Sequence, residues 1–194
     1  NEISYEINKK ILLINAESKS EINEIERIAR SKKKIVNIGI RLNPNTDAKT
    51  LKQISTGKKE NKFGVDEKTF FDLVNYSKLS KNISLKCLSV HIGSQILDYK
   101  PYEKMLKVVD KIINKSNHKF KFIDLGGGMG ISYEKNNKKL NYQKYNIAIK
   151  KFLKNHKSKI IFEPGRSIVG NIGSLISKVI YIKENDKKDF IILD

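Results

Sequence analysis

The chain has 194 residues, a formal net charge of +18 and 39% hydrophobic residues. It carries 35 lysines but only four arginines. Nucleic-acid surfaces favour arginine, whose planar guanidinium suits phosphates and base edges, so the composition argues against nucleic-acid binding. No apolar run approaches the ~18 residues of a membrane span, and the polar residues 1–10 do not predict a signal peptide. Cys87 is the single cysteine, which excludes an intramolecular disulfide and favours a cytoplasmic location.

Short β-like runs alternate with helical ones along most of the chain. Ser18 and Glu21 predict a capping box at the start of the first helix. Asp66 predicts a helix N-cap, and Pro101 suits the first turn of another helix. A further helix is predicted over 142–153. The predicted strands cover residues 11–16, 34–42, 83–90, 120–125 and 159–162. This alternation predicts an α/β fold with a parallel sheet.

The pattern changes after Gly170. Residues 175–182 and 190–193 predict strands with no helix between them. We therefore expect a barrel-like α/β region over 1–170 and the start of a C-terminal β-rich domain over 171–194. Five β-units are too few for a closed eight-stranded barrel, so both ends are expected to be truncations. The pattern alone also allows an open doubly wound sheet.

A glycine-rich turn follows the fourth predicted strand. Gly126, Gly127 and Gly128 would let backbone N–H groups approach an anion without interference from a Cβ atom. The turn predicts a phosphate cradle, and a tight strand-to-helix connection explains it equally well.

The fifth predicted strand ends in Glu163-Pro164-Gly165-Arg166. A carboxylate that emerges from a buried strand is costly unless it meets a cationic partner. Arg166 suits bidentate contact with a phosphate or a substrate carboxylate, and Gly165 permits close approach. The alternative is a structural ion pair between Glu163 and Arg166.

The third predicted strand ends at His91, with Ser94 shortly after it. Histidine can stack on a ring or transfer protons, and Ser94 can donate to a phosphate. A histidine satisfied within the core is the competing interpretation. His118 and His156 are expected to be solvated, and Cys87 to be a buried structural thiol. The spacing of histidine and cysteine predicts no metal site.

Seven segments, in this order, resemble the fold-type III, alanine-racemase-like family of pyridoxal-phosphate enzymes. They are Asn15-Ala16-Glu17-Ser18, Arg41-Leu42-Asn43-Pro44, Ile54-Ser55-Thr56-Gly57, Asn61-Lys62-Phe63-Gly64, His91-Ile92-Gly93-Ser94-Gln95, Asp124-Leu125-Gly126-Gly127-Gly128 and Glu163-Pro164-Gly165-Arg166-Ser167. The form of the segment at 91–95 favours the diaminopimelate branch of the family over the ornithine and arginine branches.

The resemblance implies a cofactor, pyridoxal 5'-phosphate, and a role for each matching residue. His91 would stack on the pyridine ring, and Glu163 would pair with the ring nitrogen. Arg166 would also reach a substrate carboxylate. The phosphate would be held by Ser94, Gly126, Gly127, Gly128, Pro164, Gly165 and Arg166. The resemblance further implies that the five strands are about the fourth to eighth of a (β/α)8 TIM-type barrel, in a homodimer acting on a small amino acid.

The chain departs from the family pattern in three places. The first-strand segment that supplies the Schiff-base lysine is absent, as are the second-domain elements that complete the substrate site. A histidine expected shortly before Ile54 is replaced by other residues. The 194 residues alone are therefore expected to be inactive. Two alternatives remain. One is a related decarboxylase of carboxynorspermidine, arginine or ornithine, and the other is a catalytically dead homologue with a binding or regulatory role.

Overall fold

The computed structural model describes residues 2–48, 56–57, 62–133 and 139–194. Parts of two motif segments, 54–57 and 61–64, therefore lie outside the described residues. The helices are α1 (Glu2–Lys9), α2 (Lys19–Ser31), α3 (Glu67–Leu79), α4 (Lys100–Ser116), α5 (Tyr142–Leu153) and α6 (Arg166–Val169). The strands are β1 (Ile14–Ala16), β2 (Val36–Arg41), β3 (Ile83–Ser89), β4 (Phe122–Asp124), β5 (Lys159–Ile161), β6 (Val179–Lys183) and β7 (Phe190–Leu193).

Strands β1 to β5 form one parallel sheet whose spatial order follows the chain order. The helices α2, α3, α4 and α5 connect consecutive strands. The predicted α/β fold is therefore confirmed. A doubly wound sheet reverses its strand order at a switch point, and these five strands show no reversal.

The sheet is strongly curved. Asn15 on β1 donates from Nδ2 to Oδ2 of Asp124 on β4 at 3.0 Å, although two strands separate them. Three strand spacings in a flat sheet span roughly 14 Å, so the side chains meet only because this face is concave. The buried residues Ala16, Ile40, Leu88 and Ile123 lie in one row on the opposite face. The curvature is that of an arc of a barrel.

Side-chain caps fix where the helices begin. The Ser18 hydroxyl accepts from the Glu21 N–H at 3.1 Å, and Asp66 Oδ1 accepts from the Thr69 N–H at 2.8 Å. Asn141 caps α5 in the same way. The contacts of Ser18 and Asp66 confirm the predicted N-terminal signals, whereas the cap by Asn141 was not predicted. Helix α1 was missed, because its sequence is polar and Ile7 is its only buried residue.

The last part of the chain forms an antiparallel hairpin of β6 and β7. Asp194 ties its ends together, accepting from the Ser177 hydroxyl and the Lys178 N–H at 3.0 Å each. The apolar side chains of the hairpin are largely exposed, in contrast to those of the sheet. Within the described ranges, no helix combines the length and apolarity needed to cross a membrane.

Candidate active site at the carboxyl ends of the strands

The glycine turn after β4 packs between the ends of its two neighbouring strands. Glu163, just after β5, donates its backbone N–H to the Gly126 carbonyl at 2.9 Å. A Cβ atom on Gly127 would lie 2.1 Å from the Glu163 carbonyl oxygen, and one on Gly128 would lie 2.2 Å from the Gly93 carbonyl oxygen. Neighbouring backbone therefore requires glycine at both positions, whatever the turn binds.

His91 is attached to the same turn. Its Nδ1 atom accepts the Gly127 N–H at 3.2 Å. Burial, and secondarily the positive charge of Arg41, lower the pKa of His91 below its ordinary value. The imidazole is therefore neutral near pH 7, and since Nδ1 is an acceptor, the ring proton is assigned to Nε2. This fixed orientation leaves the ring a flat surface at the carboxyl end of β3.

The sequence predicted that Glu163 emerges from a buried strand, and this prediction is wrong. Strand β5 is the edge of the five-stranded sheet, so its residues are half-buried or exposed, and Glu163 itself is exposed. Partial desolvation nevertheless raises the pKa of Glu163, as do the negative charge of Asp124 and a hydrogen bond to that carboxyl, against an opposing effect of Arg41. The acid neighbour Asp124 therefore affects the pKa of Glu163 more strongly than the cation Arg41 does.

Arg166 begins α6 and points back toward the loop after β3. Its Nε donates to the Ser94 hydroxyl at 3.3 Å, and one terminal nitrogen donates to the Tyr133 hydroxyl at 2.5 Å. No ion pair joins Arg166 to Glu163 in the part of the chain that the structure describes. The alternative interpretation, a structural ion pair between Glu163 and Arg166, is therefore wrong. The guanidinium of Arg166 remains available to an anion beside the Ser94 hydroxyl.

Gly165, between these groups, differs from the glycines of the turn. A Cβ atom there would meet nothing within 4 Å, and its φ of −100° is open to any residue. Neither backbone strain nor a neighbour in the described chain therefore requires glycine. The open space beside Arg166, Ser94 and the turn is where a phosphate would approach the backbone. Pro164 contacts the same turn, with its Cα 3.8 Å from a Cβ built on Gly127.

Sequence reasoning included Asp124, Arg41 and Glu17 in motif segments but gave these polar groups of the site no role. Asp124 is 1% exposed and accepts hydrogen bonds from Asn15 Nδ2 at 3.0 Å, Ser89 Oγ at 3.4 Å and the Gly126 N–H at 2.9 Å. Arg41 is held at 2.5 Å by Glu17, which also accepts the Gly64 N–H at 3.2 Å. Arg41, Ser89 and Asp124 end strands β2, β3 and β4, and Glu17 follows β1 directly. That position was the available signal.

The other two histidines lie away from the site. His156 is buried and bonds Asp110 at 2.7 Å, so the prediction that it is solvated is wrong. His118 is half-buried and bonds the Leu85 carbonyl at 3.1 Å, so it is only partly solvated. Both rings pack beside a phenylalanine, a contact that isolated positions in polar segments did not reveal. Cys87 is buried as predicted, and burial raises the pKa of its thiol to about 12. The described ranges contain no group of three or more potential metal ligands.

The curved parallel sheet carries the His91 ring, the Arg166–Ser94 pair and the Glu163 carboxyl at the carboxyl ends of its strands, an arrangement typical of the active-site end of an α/β barrel. A family model described as "Pyridoxal-dependent decarboxylase, pyridoxal binding domain" matches residues 1–170. The chain therefore belongs to the family of pyridoxal-dependent decarboxylases.

Diaminopimelate decarboxylases are among the proteins similar to this chain. Diaminopimelate decarboxylase of Aquifex aeolicus is 38% identical over all of this chain and 47% of its own length. That of Helicobacter pylori is 41% identical over all of this chain and 48% of its own. A crystal structure of the Helicobacter pylori enzyme complexed with L-lysine superposes with a TM-score of 0.88, covering the whole chain and 49% of that protein. The chain spans about half the length of the curated relatives it matches.

Proposed function

We propose that the full-length protein is a diaminopimelate decarboxylase, which converts meso-2,6-diaminopimelate to L-lysine and carbon dioxide with pyridoxal 5'-phosphate. The observation that carries this proposal is the convergence of His91, the Gly126–Gly128 turn and Glu163 at the carboxyl ends of neighbouring strands. Likeness to diaminopimelate decarboxylases over the whole chain supports the choice of substrate. The relative crystallised with L-lysine binds the product that this reaction would release.

Each group of the site has a role in this function. When bound, pyridoxal phosphate supplies an electron-accepting pyridinium ring next to the bond that breaks. His91, neutral and fixed through Nδ1, offers its face to that ring. Glu163 holds a proton at the ring nitrogen and so keeps the ring positively charged.

The anion-binding side of the site fits the phosphate and a substrate carboxylate. Ser94, the glycine turn, Pro164 and Gly165 surround the space where the phosphate would lie. Arg166 lies beside them and can donate both to the phosphate and to a carboxylate of the substrate. The open surroundings of Gly165 support this assignment, because nothing else in the described chain calls for glycine there.

The architecture of the full-length protein is part of the proposal. Residues 1–170 would form about strands four to eight of a (β/α)8 TIM-type barrel, and residues 171–194 the start of a C-terminal β-rich domain. The segment with the Schiff-base lysine is not among the 194 residues, so this part alone would be inactive. We infer a cytoplasmic homodimer, which sedimentation of the full-length protein would test.

The direct test is an assay of the full-length protein with pyridoxal phosphate. Release of carbon dioxide and L-lysine from meso-diaminopimelate is expected, with much weaker activity on ornithine, arginine and carboxynorspermidine. Preference for one of those three substrates would reject the diaminopimelate assignment but keep the reaction class. A protein that binds the cofactor without decarboxylating any of them would favour a regulatory homologue.

Site variants link the activity to the geometry. Glu163→Gln should lower kcat by about 100-fold, because the amide cannot keep the ring nitrogen protonated. Glu24→Gln, on the exposed side of α2, is the matched control and should retain full activity. Equal activity of the two variants would remove Glu163 from the site.

A further inference from the structure

The N–H groups of the glycine turn after β4 are paired unequally. The Gly126 N–H donates to Asp124 at 2.9 Å, and the Gly127 N–H donates to His91 at 3.2 Å. The N–H of Gly128 has no acceptor in the described part of the chain. Backbone N–H groups in packed regions are nearly always paired, so this one is a donor that a phosphate at the proposed site would satisfy.

The carbonyls of the same turn are all paired, and the middle one differs from its neighbours. The two outer carbonyls accept backbone N–H groups at 2.9 Å each. The carbonyl of Gly127 accepts the hydroxyl of Tyr102 at 3.1 Å. Tyr102 lies on α4, so a helix side chain and not a neighbouring strand fixes the centre of the turn.

Packing fixes the position of the Tyr102 hydroxyl. The side chain is fully buried, and its ring stacks on that of Tyr145 with the centroids 4.4 Å apart. Burial raises the pKa of Tyr102, so the hydroxyl keeps its proton and can donate it to a carbonyl. Tyr102 was not singled out in the sequence, and the proposed function assigns it no role.

The contact with Tyr102 determines the direction of the unpaired N–H. In a trans peptide the carbonyl oxygen of Gly127 and the N–H of Gly128 point in opposite directions, and the described chain contains no cis peptide bond. Because the carbonyl points to a buried hydroxyl, the N–H points away from it. Gly128 is also less buried than Gly127, which leaves its N–H accessible to a ligand.

This peptide would otherwise rotate easily, because it lies between two glycines. Rotation by roughly 180° would change the φ of Gly128 from +88° to about −90°, which is sterically allowed. The rotated peptide would present a carbonyl oxygen to an anion in place of an N–H, and it would lose the hydrogen bond from Tyr102. The hydroxyl therefore favours the orientation that suits an anion.

We propose that Tyr102 is a positioning residue, whose hydroxyl holds the Gly127 carbonyl and so keeps the N–H of Gly128 turned toward the cofactor's phosphate. The inference rests on the proposed function. Tyr102 touches neither cofactor nor substrate and acts through the peptide between Gly127 and Gly128. A ligand with the same ring but without a phosphate would gain nothing from this contact.

The test compares the affinities of the cofactor-free full-length protein for pyridoxal phosphate and for pyridoxal, which lacks the phosphate. Tyr102→Phe keeps the ring and removes the hydroxyl. It should weaken the binding of pyridoxal phosphate by about 5-fold, the effect of one hydrogen bond, and leave that of pyridoxal unchanged. Tyr145→Phe is the matched control, because it removes a buried hydroxyl that has no hydrogen-bond partner among the described residues. It should leave both affinities unchanged.

Three results of this comparison would overturn the proposal. Equal weakening of both ligands by Tyr102→Phe would show general damage to the fold. Unchanged binding of both ligands would show that the hydroxyl does not act on the phosphate. The same phosphate-specific loss in Tyr145→Phe would show that the packing of the two rings, and not the bond to Gly127, is responsible.

A measurement without the cofactor separates this inference from the proposed function. In the cofactor-free full-length protein, labelled with ¹⁵N-glycine, added inorganic phosphate should shift the amide resonance of Gly128 in the wild type and in Tyr145→Phe. The shift should be smaller in Tyr102→Phe. A wild type that fails to bind pyridoxal phosphate would reject the proposed function, while equal responses of all three proteins to inorganic phosphate would overturn the role of Tyr102.

If Tyr102→Phe does not fold, as judged by circular dichroism, 3-fluorotyrosine at position 102 takes its place. Fluorine makes the hydroxyl a stronger donor and keeps the ring, so the carbonyl ¹³C resonance of Gly127 should move downfield. The same replacement at position 145 should leave that resonance in place. An unmoved Gly127 resonance with 3-fluorotyrosine at position 102 would overturn the proposal.

Discussion

The two ends of the chain differ in how their apolar residues are used. In the sheet, Ile38, Ile40 and Leu88 are fully buried between strands and helices. In the C-terminal part, Leu175 and Ile176 are more than 90% exposed, and the apolar residues of β6 and β7 are about half exposed. Both regions have sequences typical of strands, so local pattern alone does not distinguish them.

The difference teaches that secondary structure and burial have separate causes. The hairpin forms because its backbone groups pair with each other, and Asp194 ties its ends. Its apolar faces are covered by no other described residue, and contiguous exposed apolar surface of this kind marks a surface that meets another. Strand β5, the outermost strand of the five-stranded sheet, is also incompletely covered, and its residues are half-buried or exposed. In the full-length protein, we expect other residues to cover both.

A packed glycine and an open glycine should differ most in the effect that an alanine substitution has on stability. Gly128→Ala should lower the free energy of unfolding by about 4 kcal/mol, because its φ is +88° and the added Cβ would meet the Gly93 carbonyl oxygen at 2.2 Å. Gly165→Ala should cost less than about 0.5 kcal/mol, because nothing lies within 4 Å. Urea unfolding of the full-length variants measures both.

The Gly165 variant also tests the proposed cofactor site. A normal stability together with weaker binding of pyridoxal phosphate is the expected combination. A large loss of stability would show that residues outside the described ones pack against Gly165, in which case packing and not a ligand explains the glycine.

Two leucines compare the packed sheet with the hairpin. Leu88→Ala should destabilise the protein by about 3 kcal/mol, since the side chain is 0% exposed in the core. Leu175→Ala, at 96% exposure, should cost less than about 0.5 kcal/mol in the 194-residue chain. In the full-length protein it should cost at least about 1 kcal/mol if the proposed β-rich domain covers it. Thermal unfolding of both forms measures this, and equal small effects would argue against such a domain.

Much of the fold could be predicted from the sequence, because capping side chains and apolar periodicity are local signals. Asp66 and Asn141 begin their helices through contacts three residues away, and the fifth helix has the predicted bounds. Strand ends were less accurate: Ile11 and Leu12 continue the apolar run of β1 but are exposed outside it. Pairing with β2, which decides where β1 begins, is not a local property.

The site was predictable only in part for the same reason. Glycines and polar residues at strand ends identified the carboxyl ends of the strands as the site. The structure brings His91, the glycine turn and Glu163 together there. Asp124 ends β4, which was a local signal, but its hydrogen bond to Asn15, 109 residues away, could not be read from local pattern. The position of β5 at the sheet edge, which exposes Glu163, likewise depends on which strands are present.

The smallest expected effect lies within the packed region, on one face of α2. Glu26 is 7% exposed and accepts hydrogen bonds from Ser80 at 2.5 Å and from the Tyr76 hydroxyl. These bonds, that of Ser80 first, hold its pKa below the ordinary 4.5. A depressed carboxyl pKa contributes stability that is complete above the unfolded-state value and is lost as pH falls through the folded-state value. Glu26→Gln should therefore cost about 1–2 kcal/mol near pH 7 and progressively less below pH 4.5.

Glu24, two residues earlier on the same helix, is the control for this pH dependence. Its salt bridge to Arg27 is solvent-exposed, so Glu24→Gln should change stability by less than about 0.5 kcal/mol. Urea unfolding of both variants between pH 3 and pH 7 tests the pair. The expected result is a gap between the Glu26 variant and the wild type that closes on acidification. A gap of constant size would mean that packing around Glu26, and not its charge, stabilises the contact between α2 and the end of α3.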